Sequence, residues 1–181
     1  MLPLKRVEES EELEGTTLRR MTRTSMVSHA AEKMHVSRVR NAYFIAHLTN
    51  ADLSMLSDFE ELKKDLDIVN KCYVTLGRPI VLDNTNIFIR DTMLLTPAGQ
   101  KSLDALGPLY GISKIKLTKE EITNMDKLLE ENRELFEEYA MRDAVIPLIH
   151  ANYMEHFNFR LNEFGIPITL SNLGAKYVRY V

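Results

Sequence analysis

Three aspartates and a tyrosine have the residue types and placement for phosphodiester chemistry. Asp52 follows the apolar run Ala42-Tyr43-Phe44-Ile45-Ala46. Asp91 ends a second apolar run, Ile87-Phe88-Ile89. Asp143 lies four residues after Tyr139 in a long segment of helical character, so the two share a helix face. Carboxylates at strand ends and on a facing helix suit Mg²⁺ or Mn²⁺, hard ions that take oxygen ligands and leave room for water and phosphate. Two such ions about 4 Å apart activate a water and stabilise the leaving oxygen. A tyrosine hydroxyl beside such a carboxylate can orient the attacking water.

The elements that must hold these residues can be read from the pattern. The 42–46 run, rich in aromatic and β-branched residues, predicts a buried strand. Leu53, Leu56, Phe59 and Leu62 recur at three-to-four spacing and predict a helix over 52–64. Residues 79–82 and 87–89 predict two strands, with the turn formers Asp83-Asn84-Thr85-Asn86 making a hairpin between them. A helix is expected over 101–109, stopped by Gly111. Thr118 and Glu121 have the spacing of a capping box, which opens a helical stretch to about residue 162. Pro147 is expected to kink or interrupt it, and Gly165-Ile166-Pro167 to end it. Strands, a hairpin and then long helices predict the α/β class. Three recognisable strands make a thin sheet.

The chain has 181 residues, 45% hydrophobic and 27% charged, enough for one domain with a core. The net charge of −3 argues against a uniformly basic nucleic-acid binder, although clustered lysines matter more than the sum. One cysteine, Cys72, rules out a disulfide within the chain and reads as a small buried side chain beside Tyr73 and Val74. No apolar run approaches the roughly 20 residues that cross a bilayer, so no membrane partner is expected. The opening residues are too acidic for a targeting presequence. Residues 1–38 read as a poorly structured lead-in. His150 and His156 lack zinc-motif spacing and read as ordinary. Glu130 to Glu134 reads as a solvated helix face.

The motifs also resemble a known family in order. Ala46-His47-Leu48-Thr49-Asn50-Ala51-Asp52 is similar to the second 3′→5′ exonuclease motif of protein-primed family B DNA polymerases from linear mitochondrial plasmids and related viruses. Asp91-Thr92-Met93-Leu94-Leu95 resembles the segment that holds single-stranded DNA in that group. Lys114-Ile115-Lys116-Leu117 resembles its lysine segment, and Tyr139-Ala140-Met141-Arg142-Asp143 its third exonuclease motif. Gly165 to Leu170 resembles the junction towards the polymerase domain. The resemblance spans residues 40 to 181.

That resemblance implies an α/β, ribonuclease H-like exonuclease fold, truncated at its N-terminal strands. It implies an exonuclease-like domain over 39–162, with 163–181 beginning a linker to an absent polymerase domain. Asp52 and Asp143 would be ligands of Mg²⁺ or Mn²⁺, and Tyr139 would position the water. Lys114 or Lys116 would touch the scissile phosphate. His47, Thr92 and Met93 would contact the DNA strand. The implied activity is two-metal hydrolysis of single-stranded DNA in proofreading. The implied partners are single-stranded DNA and a terminal protein or larger assembly. The implied location is mitochondrial, or a viral or bacterial cytoplasm. Two departures stand out. Leu48 and Ala51 occupy places where relatives have an asparagine and an aromatic residue, and residues 1–40 contain no Asp-x-Glu for the first motif. A second reading follows: an inactive polymerase remnant serving as a structural or nucleic-acid-contacting subunit.

Overall fold

A computed structural model describes residues 41–69, 73–82 and 85–181. The lead-in, residues 1–38, and Cys72 lie outside the described residues.

Strand β1 (Asn41–Ala46) runs parallel to β5 (Thr85–Asp91), with Asn41 opposite Asn86 and Ala46 opposite Asp91. Strand β4 (Ile80–Leu82) pairs antiparallel with the other edge of β5, Leu82 opposite Thr85, which forms the expected hairpin. The sheet order is therefore β1-β5-β4. A second hairpin, β2 (Asp67–Val69) with β3 (Tyr73–Thr75), was not expected from sequence. Its strands are three residues each, too short for an alternation to register. It leans on β5 through the Thr75 hydroxyl, which donates to the Ile89 carbonyl at 2.9 Å.

Both faces of the sheet are covered, which is why β1 reads as continuously apolar rather than alternating. On one face Leu53, Leu62, Val74, Leu76 and Ile89 are buried together, with Phe44, Leu56 and Phe59 against them. On the other, Tyr43 and Ile45 pack with Leu95, Ala151 and Ile166. Phe44 and its neighbours Tyr43 and Ile45 thus take opposite sides, as strand geometry requires.

The helix expected over 52–64 is two short ones, α1 (Thr49–Leu53) and α2 (Phe59–Leu62). The Ser54 hydroxyl donates back to the Ala51 carbonyl at 2.7 Å, a local bond that competes with helix propagation. The apolar spacing served core burial across the break.

Helix α3 (Leu103–Leu106) passes into a 3-10 turn, Gly107–Tyr110, that ends on Gly111 at φ 73°. The capping box at Thr118 is formed in full and starts α4 (Lys119–Thr123). Helix α5 (Met125–Glu131) and the 28-residue α6 (Arg133–Arg160) follow. The expected break at Pro147 is absent: α6 runs through it, and Pro147 is buried against the domain. The breaks fall at Asn124 and Asn132, whose backbones leave the helical region; the Asn132 side chain caps Leu135 N–H at 3.2 Å. Packing outweighed the cost of proline, which leaves the Asp143 carbonyl without its helical donor. Residues 163–169 lead to α7 (Leu170–Tyr180), whose Leu173 is buried and whose Tyr177 ring lies 6.2 Å from Phe157. Among the described residues no helix is long and apolar enough to cross a membrane.

Candidate functional site

The parallel strands β1 and β5 end side by side, at Ala46 and Asp91. Strand ends that emerge together in an α/β sheet are where such folds place their ligands. Beyond β1 come His47, Leu48 and the start of α1 with Asp52; beyond β5 come Thr92 and Met93 in a 3-10 turn. Helix α6 packs across β1 and that turn.

Asp143 on α6 meets Lys114 from the extended segment before α4. Lys114 Nζ lies 3.0 Å from Asp143 Oδ2 and 5.2 Å from the Tyr139 ring centroid. Tyr139 and Asp143 do share one face, and Lys114 bridges them. Burial pulls the Lys114 pKa down, but its bonds to Asp143 and Tyr139 outweigh that and raise it. The second carboxylate oxygen, Asp143 Oδ1, is buried with no hydrogen-bond partner. An unpartnered buried carboxylate oxygen is costly and is a place where a ligand atom or ion would be stabilised. Lys116 is exposed.

His47 sits at the centre of the charges. One ring nitrogen, Nδ1, lies 2.9 Å from the Thr92 hydroxyl; Nε2 lies 2.5 Å from the Lys101 carbonyl. In the neutral ring Nε2–H donates to that carbonyl. The single Thr92 hydroxyl proton then serves either Nδ1 or the Ala46 carbonyl, which lies 2.9 Å away. Burial lowers the His47 pKa; the Lys101 carbonyl and the charges of Asp91 and Asp143 raise it, while Lys114 lowers it. Asp52 is exposed, yet crowding by the surrounding chain and the charge of Asp91 push its carboxyl up, with His47 pulling it down. His47 therefore lies within electrostatic reach of both Asp52 and Asp143. Thr92 is fully buried and braces His47, and Met93 is half-buried.

Two readings from sequence are corrected. Asp91 was a candidate ligand, but its side chain is buried, and its oxygens accept backbone N–H groups of Leu48, Thr49 and Met93 at 3.2, 3.0 and 2.9 Å. It is a cap. His150 was read as ordinary, but it is 1% exposed, its Nδ1 2.6 Å from the Tyr110 hydroxyl. Its position seven residues beyond Asp143, two helical turns along, was the available signal. His156, in contrast, is exposed, as expected.

Half-buried His47 and buried His150 set a pH dependence. Burial lowers the pKa of both His47 and His150. The unfolded chain then binds protons near pH 6.5 that the folded chain refuses, so stability falls as pH drops through that value. Urea midpoints should decrease between pH 7.5 and pH 6, and His150→Gln should flatten that slope. The raised Asp52 pKa acts with the opposite sign and closer to the carboxylate range. A slope unchanged by His150→Gln would leave His150 without this role.

The described residues do not complete a site for a divalent ion. Asp143 offers one unpartnered oxygen, itself buried, and no group of three or more His, Cys, Asp or Glu side chains is placed to hold a metal among the described residues. Mg²⁺ dehydrates reluctantly and needs near-octahedral oxygen ligands, so no hydrolytic step is assigned to this set alone.

Fold and site define a small α/β domain with a lysine–carboxylate–tyrosine cluster beside a histidine at paired strand ends. Over 95 residues, 52% of the chain, it is 36% identical to the primer-independent DNA polymerase PolB of Escherichia coli. The match covers 11% of that polymerase. No protein-family model matches the chain, and no solved structure matches it.

Proposed function

We propose that this chain is a strand-holding part of the 3′→5′ exonuclease region of a family B DNA polymerase, with a ribonuclease H-like sheet. The observation that carries this reading is the convergence of Lys114, Tyr139 and Asp143 on the side where His47 and the β5 exit emerge. Lys114 offers a cation to a backbone phosphate, His47 and Met93 flank the strand, and Asp143 holds Lys114 in place through Oδ2. The similarity to a DNA polymerase supports DNA as the ligand. Hydrolysis needs more carboxylates than the described residues supply, so the role assigned to those residues is to hold the strand. The exposed character of Asn41 and the half-burial of the rest of β1 favour a second reading, an inactive subunit that contacts nucleic acid within a larger assembly.

The test is fluorescence anisotropy with a labelled single-stranded oligothymidylate at low salt, with Mg²⁺ present, and a denaturing gel on the same mixture. The wild type should bind without shortening the oligonucleotide. Lys114→Ala should weaken binding about tenfold while the cooperative melt persists, since a phosphate contact contributes chiefly Coulomb energy. Absence of wild-type binding, or equal affinity of Lys114→Ala, would overturn the DNA reading. Mg²⁺-dependent shortening by the purified chain would overturn its inactivity.

A further inference from the structure

The exits of β1 and β5 are joined by the Thr92 hydroxyl, which donates to the Ala46 carbonyl, and by the Asp91 carboxylate, which alone reaches the turn at Leu48 and Thr49. Asp91 ends β5 with 0% exposure. Its Oδ1 accepts from Leu48 N–H and Met93 N–H, and its Oδ2 from Thr49 N–H. One carboxylate therefore caps the first turn of α1, 42 residues back in the chain, and the 3-10 turn that follows its own strand. Among the described residues no lysine or arginine forms an ion pair with it. Backbone N–H groups supply its compensation.

Leu48 shows what this cap holds. Its backbone is left-handed, φ 75° and ψ 56°. For a residue with a Cβ that conformation costs roughly 1–2 kcal/mol, and Leu48 is 42% exposed, so apolar burial does little to offset it. The left-handed turn aims two successive N–H groups, of Leu48 and Thr49, at one point. Successive N–H groups arranged this way form a concavity for an anion, and here the anion is the Asp91 carboxylate. The turn sits directly between His47 and the helix that carries Asp52.

We propose that Asp91 is a positioning residue: it holds Leu48 in the left-handed turn and thereby fixes His47 and α1 relative to Thr92 and Met93. This rests on reading those strand exits as the DNA-facing side. Asp91 does not touch DNA; it acts through the turn. A carboxylate that acted by its charge would repel a phosphate backbone, so neutralising it would tighten binding. A positioning carboxylate predicts the reverse.

The test combines Asp91→Asn, Leu48→Gly and the double variant in the full chain. Residue-resolved amide exchange by NMR reports the clamp, and anisotropy with the oligothymidylate reports its consequence. In the wild type the amides of Leu48, Thr49 and Met93 should be protected. Asp91→Asn places an NH₂ group against the Thr49 or Leu48 N–H; it should speed exchange there and weaken oligonucleotide binding, each about tenfold. Leu48→Gly should restore at least about threefold of that binding, because glycine adopts positive φ freely.

Three results would overturn the proposal: unprotected Leu48 and Thr49 amides in the wild type, equal or tighter binding by Asp91→Asn, or no recovery in the double variant. If Asp91→Asn fails to fold, the wild-type exchange pattern and a folded, DNA-binding double variant still decide. If the wild type binds no oligonucleotide, the DNA reading fails, and the clamp is judged on exchange alone.

Discussion

Arg90→Met is expected to destabilise the fold by on the order of 3 kcal/mol, more than any surface substitution near the site. Arg90 is 5% exposed at the end of β5. Its Nε donates to the Ile166 carbonyl at 2.8 Å, and one terminal nitrogen donates to the Leu76 and Ile89 carbonyls at 2.7 and 2.9 Å. The guanidinium also lies 5.7 Å from the Tyr43 ring and 5.4 Å from the Phe88 ring. Methionine can keep part of the apolar stem packing but takes that donor from the Leu76 and Ile166 carbonyls, at about 1 kcal/mol or more each, while the Ile89 carbonyl keeps the Thr75 hydroxyl. The lost contacts with the Tyr43 and Phe88 rings add to this. Two of the three carbonyls belong to β5 and the strand region after β3; the third belongs to the segment after α6. Arg90 thus ties the end of α6 to the sheet, and α6 carries Tyr139 and Asp143. A thermal melt should show a midpoint lowered by roughly 6–12 °C for a chain of this size. Lysine should not rescue it, because one ammonium on a flexible stem cannot reproduce a planar fork that spans opposed carbonyls. A shift of only a degree or two for Arg90→Met would mean that water replaces the guanidinium at little cost.

Arg90 also marks where sequence stopped being legible. Its neighbours Ile87, Phe88 and Ile89 announce a strand, and the hairpin from β4 is written in turn-forming residues. The Thr118–Glu121 capping box is equally local, since both partners lie within one turn. What could not be read locally depended on distant contacts. Nothing near Arg90 foretells carbonyls from residues 76 and 166. Asp91 looked like a ligand because a strand-end aspartate offers two oxygens; its partners Leu48 and Thr49 lie across the parallel pair. His150 looked ordinary because the tyrosine that meets it is 40 residues away. Pro147 looked like a break because propensity is a local argument, whereas its burial on the inner face of α6 is not.

The site shows the same division. Tyr139 and Asp143 could be placed on one face by spacing alone. That Lys114 meets them depends on the chain reversing after α3; the motif order pointed to Lys114 or Lys116 without choosing between them, and the structure puts Lys114 beside Asp143. The lead-in, which contains no Asp-x-Glu for a first motif, lies outside the described residues. Among the described residues the carboxylates around Asp143 are too few to hold a divalent ion, so strand binding is the role assigned to them.

The reversal after α3 turns on Gly107, and Gly107→Ala is expected to cost on the order of 3 kcal/mol, at the upper end for an added methyl. Gly107 has ordinary helical backbone angles, φ −57° and ψ −47°, so the cost is steric and not conformational. A Cβ there would overlap the Ile112 carbonyl oxygen and press on Ile146 Cδ1 at 3.1 Å. A side chain could swing aside, but a backbone carbonyl cannot. Ile112 N–H donates to the Gly107 carbonyl at 3.0 Å, so the clash falls inside a closed turn. Relief requires moving residues 112–117 away from α6. Lys114 rides on that segment, held to α6 by its ion pair and by the Arg142 bond to the Ser113 carbonyl at 3.3 Å. The alanine variant should therefore lose stability and DNA affinity together, whereas Lys114→Ala loses mainly affinity. The double variant should bind no more weakly than Lys114→Ala, because both changes remove one contact and coupled changes do not add. Strictly additive losses of affinity in that double variant would show that Gly107 serves the site by some route other than the placement of Lys114.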